Sequence, residues 1–491
     1  MIDMSSRFDL LRNAREAKLR SLRQAGIDPF GAPFHGRRLA ADLHAAYGET
    51  AAEDFDAAPV TVRAAGRLVS LRPQGKAGFA DLQDGSGRIQ LYVSLPELDG
   101  PSALIWEQLD LGDLLGVGGR LMRTRTGELT LRAAQLTMLT KSLRPLPDKH
   151  GGLQEREERY RARHLDLLIN PESRAVFEAR ARIIAAIRRT LDESGFLEVE
   201  TPVLVPLAGG AAARPFVTHH NALGRDLSLR IATELHLKRL VVGGIERVYE
   251  IGRIFRNEGL STRHSPEFTT LEAYQAYAGY GEMMDLTERL VQSAALAVGG
   301  SLQTGGLNFS GPWPRVTMVE LVRRRTGIDF AALSSDAEAR SAVAAAGYAT
   351  GARTWGALLA QLFEAYCEDA LVQPTFVFGH PVVTSPLAKR DPADPRLTER
   401  FELYVQGREL ANAFSELNDP VDQRARFVAQ LLERAAEDGE AHPLDDDFLA
   451  ALEVGLPPTG GLGLGIDRLV MALTGAPAIR DVILFPILRE E

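Results

Sequence analysis

The sequence predicts an α+β protein in two parts, a small five-stranded β-barrel and a larger α+β domain. Three observations lead there. The chain has 491 residues, 45% hydrophobic and 25% charged, ordinary values for a globular protein of two to four domains of roughly 100–200 residues each. Between Val60 and Leu139 short apolar-alternating runs are separated by Gly-rich turns. Beyond Gly151 longer helical periodicities take over, mixed with strands.

Taken in order, Ser5–Gly26 reads as a helix with a serine cap, apolar Leu10, Leu11, Ala14, Leu19 and Leu22, and a glycine stop. Up to Arg38 eight basic residues face four acidic ones (Asp3, Asp9, Glu16, Asp28), locally +4 in a chain of net charge −9. Residues 1–45 are therefore a basic helical extension, with a solvated face and an RNA-backbone contact equally open. Because the whole chain is acidic, nucleic acid has to bind on such local basic surfaces. The strands Val60–Leu71, Gly78–Gln83, Arg88–Val93, Leu114–Arg123 and Leu129–Leu139 predict a barrel of the oligonucleotide-binding (OB) type within residues 55–145. Barrels of this type stack bases on aromatics and read base edges with polar side chains. Arg72, Phe79, Gln90 and Glu128 fall on its outward faces. Arg144-Pro145-Leu146-Pro147-Asp148-Lys149 leads into a linker over 146–172. The remaining domain, 173–491, opens with a helix over Val176–Ser194 and carries an Ala-rich helical insertion at about 313–370, in which Trp313–Tyr366 shows no chemistry.

No apolar run approaches the roughly 20 residues of a bilayer span, and Met1–Arg23 lacks the apolar stretch of a signal peptide. No membrane association is expected. The single cysteine, Cys367, excludes a disulfide framework and a cysteine-cluster metal site, so the reducing cytoplasm is the expected compartment.

The chemistry concentrates in Glu246–Tyr277 and Arg400–Arg468. Glu246–Arg256 and Phe268–Tyr277 read as strands. Period-two alternation puts Glu250, Gly252, Ile254 and Arg256 on one face of the first and Phe268, Thr270, Glu272 and Tyr274 on one face of the second. As an antiparallel pair they present an arginine, two carboxylates, a phenol and an aromatic ring on one side. Buried charge of this density is costly unless paired or occupied by a ligand, so an internal Arg–Glu ladder and a binding face both remain open. Arg400–Val405 and Arg408–Leu417 read as a hairpin around Gln406-Gly407, with Asn412, Phe414 and Glu416 on one face. Glu402 and Glu409 flank the turn and suit Mg²⁺, provided that a bulge near Leu410–Ala411 turns Glu409 toward Asn412. Gly460-Gly461-Leu462-Gly463-Leu464-Gly465-Ile466-Asp467-Arg468 reads as a Gly-rich turn into a helix, with neither Walker nor dinucleotide-binding spacing.

These segments resemble the three ordered motifs of class II aminoacyl-tRNA synthetases: Gly195–Pro202; Phe255–Gly259 with Arg263–Thr269; and Gly463–Arg468. Gly209–Phe216, Leu237–Gly244, Phe414–Asp419 and the barrel's Leu82–Asp84 and Arg88–Val93 are similar to the bacterial lysyl-tRNA synthetases. The resemblance covers nearly the whole chain except the Ala-rich segment. It implies a catalytic domain built on an antiparallel sheet flanked by helices, ATP as co-substrate, Mg²⁺ as cofactor, and L-lysine, tRNA-Lys and a second copy of the chain as partners. The homodimer interface would lie at Glu198–Pro206 and the preceding helix. It implies that Arg256 holds the α-phosphate and the amino-acid carboxylate, and that Phe268 and Arg468 sandwich the adenine. Glu258 and His264 would contact ATP, and Ser265 stands where relatives have a longer amide. Glu402 and Glu409 would carry Mg²⁺. Gly210 and Glu234 would take the α-amino group, Glu272, Tyr274 and Glu416 the far end of the side chain, and Asn412 and Phe414 the wall. The catalytic work would fall on Arg256 and Arg468, and Arg72, Phe79, Gln90 and Glu128 would meet the anticodon.

The residues speak for lysine as well, since two carboxylates and a phenol suit a cation on a long stem. At least one of Glu272 and Glu416 is then expected to have a raised pKa in the empty pocket. Two rivals stand beside this reading. One is an aspartate- or asparagine-charging relative, which needs a basic residue in place of Glu272 or Glu416, and none stands there. The other is a lysyl-adenylate-making paralogue that modifies another protein, or a non-catalytic RNA-binding module.

Overall fold

A computed structural model describes residues 4–147, 153, 155–211, 213–438 and 444–489. Asp3, Asp148, Lys149, Gly151 and Ala212 of the sequence reading lie outside the described residues. The chain divides into two units, Met1–Gly152 and Leu153–Glu491.

In the first unit, helix α1 (Met4–Gln24) precedes a closed barrel of β1 (Thr61–Gln74), β2 (Ala77–Gln83), β3 (Arg88–Ser94), β4 (Leu114–Arg123) and β5 (Leu129–Thr140), in the order β1-β2-β3-β5-β4. Period two sorts each strand. On β2, Gly78, Ala80 and Leu82 face the core while Phe79, Asp81 and Gln83 face out. Leu68, Leu91, Leu115, Val117 and Leu131 are fully buried inside, each contributing about 1.5–3 kcal/mol of hydrophobic stabilisation. Part of the basic N-terminal run is consumed within this unit. Arg15, buried on α1, donates to the carbonyls of Leu111, Ser142 and Arg144, and Lys18 pairs with Asp110 at 2.9 Å.

The second unit is built on one sheet of eight strands: β6 (Leu197–Glu198), β7 (Arg247–Phe255), β8 (Glu267–Ala276), β9 (Arg315–Thr317), β10 (Thr375–Pro381), β11 (Leu397–Tyr404), β12 (Glu409–Ser415) and β13 (Thr459–Gly465). Their order is β9-β10-β11-β12-β13-β8-β7-β6. All pairings are antiparallel except β9 with β10 and β6 with β7 at the two edges. One face, with Leu271, Ala273, Ala411, Ala413, Leu462 and Leu464, packs on helices α2 (Pro171–Glu193) and α4 (Tyr280–Gly299). Helix α3 (Glu234–Val242) lies between them in the chain. Buried Ala179, Ile183, Ala186, Ile187 and Leu191 form the stripe of α2. The helix ends where Gly195 takes φ +78° and the Phe196 amide donates to the Leu191 carbonyl at 3.0 Å. It starts five residues before the expected Val176, because Pro171 at its first turn fits the helix without losing a hydrogen bond.

Two expectations need correction. The glycine run Gly460–Gly465 is strand β13, not a turn, paired on both sides with β8 and β12. None of its glycines has positive φ; they are there for space, as the site makes clear. The Ala-rich segment is helical, with α5 (Met318–Thr326), α6 (Asp336–Ala345) and α7 (Trp355–Tyr366), but it opens with β9, an edge strand of the main sheet. Three residues are too few for a period to be read. The bulge required by Glu409 is present: Leu403 pairs with Ala411 but Tyr404 with Glu409, leaving Leu410 as the extra residue. The hairpin turn has positive φ at both Gln406 and Gly407, the geometry that matches strand twist.

Candidate active site

The sheet face opposite α2 and α4 is polar, and it floors a cavity of about 230 Å³. β8 contributes Phe268, Thr270, Glu272 and Tyr274; β12 and the residue after it contribute Asn412, Phe414 and Glu416. Between them β13 presents Gly461, Gly463 and Gly465. A β-carbon on Gly461 would fall inside van der Waals contact of Glu416 Oε1 and 2.7 Å from Tyr274 Cε1. The glycines thus clear the volume into which the neighbouring strands project.

Of the residues expected in the site, Gly210, Glu234, Arg256, Glu258, His264, Ser265, Phe268, Glu272, Tyr274, Glu409, Asn412, Phe414, Glu416 and Arg468 all line this cavity. Glu402 does not. Its carboxylate is held by Arg400 and by the Tyr404 hydroxyl, each at 2.5 Å. The pairing of β11 with β12 nonetheless sets Glu402 directly opposite Asn412. Glu250, which alternation placed on the binding face, is buried and answered by Arg230 at 2.5 Å and by Thr201. The internal Arg–Glu ladder describes Glu250, and the binding face describes Glu272.

The cavity has an acidic end and a basic end. At the acidic end, Glu272 accepts from the Thr233 amide at 3.2 Å and from the Tyr274 hydroxyl at 3.3 Å. Burial, and then the charge of Glu234, push its pKa up to about 6. The same causes raise the Tyr274 phenol well above its usual value, so it stays a donor. Glu416 is fully buried and its Oε1 has no hydrogen-bond partner. Burial raises its pKa, opposed by the ammonium of Lys238. A basic residue that the sequence reading did not assign to the pocket, Lys238, stands behind Glu416. This wholly buried lysine on α3 touches Glu416 Oε2 and pairs with Glu234 at 2.5 Å.

At the other end, the Arg256 guanidinium lies over the Phe268 ring at 5.2 Å, and Arg468 on α9 (Ile466–Thr474) reaches the Glu409 carbonyl at 2.6 Å. Arg408, which the sequence reading passed over, faces Arg263 and Arg468. Burial first, and then their charge, depress its pKa, and its Nε has no partner. Arg468 is partly answered by the Glu409 carboxylate at 3.3 Å, and the cluster of guanidinium groups as a whole fits a polyanion. His264 is exposed and shares a hydrogen bond with Ser261 at 3.0 Å. A further network fixes the geometry. Arg180 on α2 donates to Asp467 at 2.5 Å and to Thr269 at 3.0 Å, and Asp467 accepts from the Thr269 amide. It ties the start of α9, and with it Arg468, to β8.

A divalent cation fits the carboxylates beside this end. Glu409 is raised by burial and by the charge of Glu402, and nearby Glu368 is pushed up to about 7 by burial and then by Glu402. Among the described residues no group of three or more His, Cys, Asp or Glu forms a closed metal cage. Two carboxylates suit a hard ion that keeps waters and phosphate oxygens as its other ligands.

On the barrel, β1, β2, β3 and β5 bring Arg72, Phe79 and Gln90 to one outer face. Arg72 pairs in register with Phe79, whose ring meets Tyr92 at 5.2 Å, and Gln90 accepts from Thr130 at 3.0 Å. Glu128 is exposed just before β5. Tyr92 escaped the sequence reading, although its period-two spacing from Gln90 was the available signal.

Comparison with known proteins agrees with this geometry. Residues 155–489 match the family of tRNA synthetases class II (D, K and N), and residues 62–139 match the OB-fold nucleic acid binding domain. The chain belongs to the class II tRNA synthetases, which are ATP-dependent aminoacyl-tRNA ligases. A lysine–tRNA ligase of Moorella thermoacetica is 53% identical over 484 residues, 98% of each chain. One from Staphylococcus aureus strain Mu3 is 52% identical over 484 residues, 97% of this chain and 98% of the relative. Within its class, the chain is a member of the lysine–tRNA ligase family.

Proposed function

We propose that this protein activates L-lysine with ATP to lysyl-adenylate and transfers the lysyl group to the 3′ end of tRNA-Lys. What carries this reading is the convergence of Glu272, Tyr274 and Glu416 at the closed end of the cavity, where carboxylates outnumber cations. A charged ammonium is the chemistry that satisfies them. An aspartate or asparagine side chain would leave them repelling or unpaired.

In the first step the lysine carboxylate attacks the α-phosphorus in line, and pyrophosphate leaves. The nucleophile is already ionised, so the protein's task is to position it and to neutralise charge. Arg256 would bridge the carboxylate and the α-phosphate. Phe268 and Arg468 would hold the adenine between them, with Glu258, His264 and Ser265 at its edges. Arg263 and Arg408 would meet the outer phosphates. Gly210 and Glu234 would receive the α-amino group, Glu272, Tyr274 and Glu416 the side-chain ammonium, and Asn412 and Phe414 the stem. Glu402 and Glu409 would hold Mg²⁺, which when bound offsets phosphate charge. In the second step a hydroxyl of the tRNA's terminal adenosine attacks the lysyl carbonyl carbon, the anhydride bond of the adenylate breaks and AMP leaves. No side chain in the cavity stands out as the base for this step, which favours a proton acceptor on the adenylate itself.

The barrel would read the anticodon through Arg72, Phe79, Gln90 and Glu128. Exposed Leu197, Val203, Leu204 and Val217 around Glu198–Pro206 support a homodimer formed there. No described helix is long and apolar enough to cross a membrane, and we place the enzyme in the cytoplasm. ATP–pyrophosphate exchange with each of the twenty amino acids tests the assignment. Exchange with lysine alone is the expected result, and exchange driven by aspartate or asparagine would overturn it.

A further inference from the structure

Lys238 is a buried cation in a site that should receive one. Its side chain is wholly inaccessible, its Nζ contacts Glu416 Oε2 and lies 2.5 Å from Glu234 Oε1, and the rings of Phe414 and Phe448 flank it at 5.6 and 5.8 Å. The groups around it come from three elements: Glu234 from α3 itself, Phe414 and Glu416 from β12 and the residue after it, and Phe448 from helix α8 (Asp446–Gly455). Glu272 and Tyr274 of β8 face Glu416 and Glu234. A substrate ammonium would approach from the cavity side, while Lys238 approaches Glu416 from behind. Counted as ionised groups, three carboxylates and one ammonium leave two negative charges, matching the two ammonium groups of the substrate. The substrate's own carboxylate is left for Arg256.

We propose that Lys238 is a positioning residue for amino-acid specificity. Its fixed charge offsets the carboxylates of Glu416 and Glu234 that it touches and holds them in place in the empty pocket, so that the site is ready for a dication. The inference rests on the lysine reading of the pocket and adds to it the residue that sets its charge. Without Lys238, three carboxylates would face one another in a desolvated space. One of them would take up a proton, because like charges there cannot all ionise. Substrate binding would then have to expel that proton. Below the pKa of the protonated carboxylate, each pH unit costs tenfold in affinity. Burial already raises Glu272 to about 6 and Glu416 well above the usual carboxylate range, so lysine affinity in the wild type declines as pH falls through the titration of these carboxylates. Losing the Lys238 charge moves the decline to higher pH.

The experiment measures the KM for lysine in ATP–pyrophosphate exchange from pH 5.5 to 9 for the wild type, Lys238→Met and Lys238→Gln, together with kcat, the KM for ATP and thermal unfolding. The methionine fills the same space without charge, and the glutamine keeps a donor toward Glu416. The expected result is that the decline in lysine affinity shifts upward by about one pH unit or more. At pH values below the titration the lysine KM would then rise by up to about tenfold for each pH unit by which the decline moves, with the ATP KM unchanged and kcat at saturating lysine within about threefold. A lysine KM whose pH dependence stays where the wild type has it would overturn the proposal. So would failure of both variants to fold, which would make the lysine an element of the core alone. Absence of lysine-dependent exchange in the wild type would instead refute the lysine reading itself, so the two failures are distinguishable.

Discussion

Substituting Gly461 by alanine adds one methyl group at the point where three strands meet beneath the pocket. Gly461 has no positive φ, so alanine brings no backbone strain. The new Cβ would overlap Glu416 Oε1, sit 3.0 Å from Glu416 Cδ and lie 2.7 Å from Tyr274 Cε1. Both neighbours are buried, and Glu416 is backed by Lys238, so the carboxylate has to rotate or retreat at the expense of its pairing. Overpacking of this kind costs about 1–3 kcal/mol. If that cost falls on the lysine-bound state, it corresponds to roughly 5- to 150-fold in affinity at 1.4 kcal/mol per factor of ten. Phe268, Arg256 and Arg468 sit toward the other end of the cavity and are untouched. Lysine-dependent exchange should therefore show a raised lysine KM with the ATP KM within twofold, and thermal unfolding should show that the variant is folded. A lysine KM within twofold of the wild type would refute the idea that the glycines of β13 make room for the carboxylate. An equal rise in both KM values would do so too.

Three more outcomes follow from the same geometry. Arg256→Ala should cost two or more orders of magnitude in exchange, because it removes the group that neutralises charge at the reacting phosphorus; exchange within tenfold of the wild type would remove Arg256 from the reaction. Phe79→Ala should weaken charging of tRNA-Lys by at least tenfold, as loss of a base stack costs about 1–3 kcal/mol, while exchange without tRNA stays unchanged. Equal loss in both assays would make Phe79 structural. Glu272, with its pKa raised to about 6, binds the substrate ammonium only when ionised, so lysine affinity should fall as pH drops through about 6. A Glu272→Gln variant should lose most of that dependence, and titration of lysine binding by calorimetry would reveal it.

Where a side chain's role depends on period two, the sequence was a good guide. Glu272 with Tyr274, and Asn412 with Phe414, share a face because alternate residues of a strand must, and that face is the cavity floor. The bulge at Leu410 could be inferred because Glu409 and Asn412 differ by an odd number. The glycine run misled for a physical reason. Glycine serves turns through its φ freedom and crowded strands through its lack of a side chain, and only the packing around Gly461 distinguishes the two. Lys238 stayed hidden because Glu234 and Lys238 are four apart on a helix, a spacing that normally marks a solvated surface pair. Nothing local reveals that both are buried. Arg180 and Asp467, 287 residues apart, carry no local signal either. Glu402 stands out in the sequence by its type and its place beside the hairpin turn, and what the sequence does not show is that Arg400 and the Tyr404 hydroxyl hold its carboxylate.

The most direct test compares binding of lysine with binding of norleucine, which keeps the stem and ends in a methyl group, by calorimetry at pH 7.5 with ATP absent. If Glu272, Tyr274 and Glu416 grip a charged tip, removing that tip leaves buried polar groups unpaired, and affinity should drop by about 10⁴ or more. Norleucine binding within tenfold of lysine would contradict the account, since the acidic end would then play no part in choosing the amino acid.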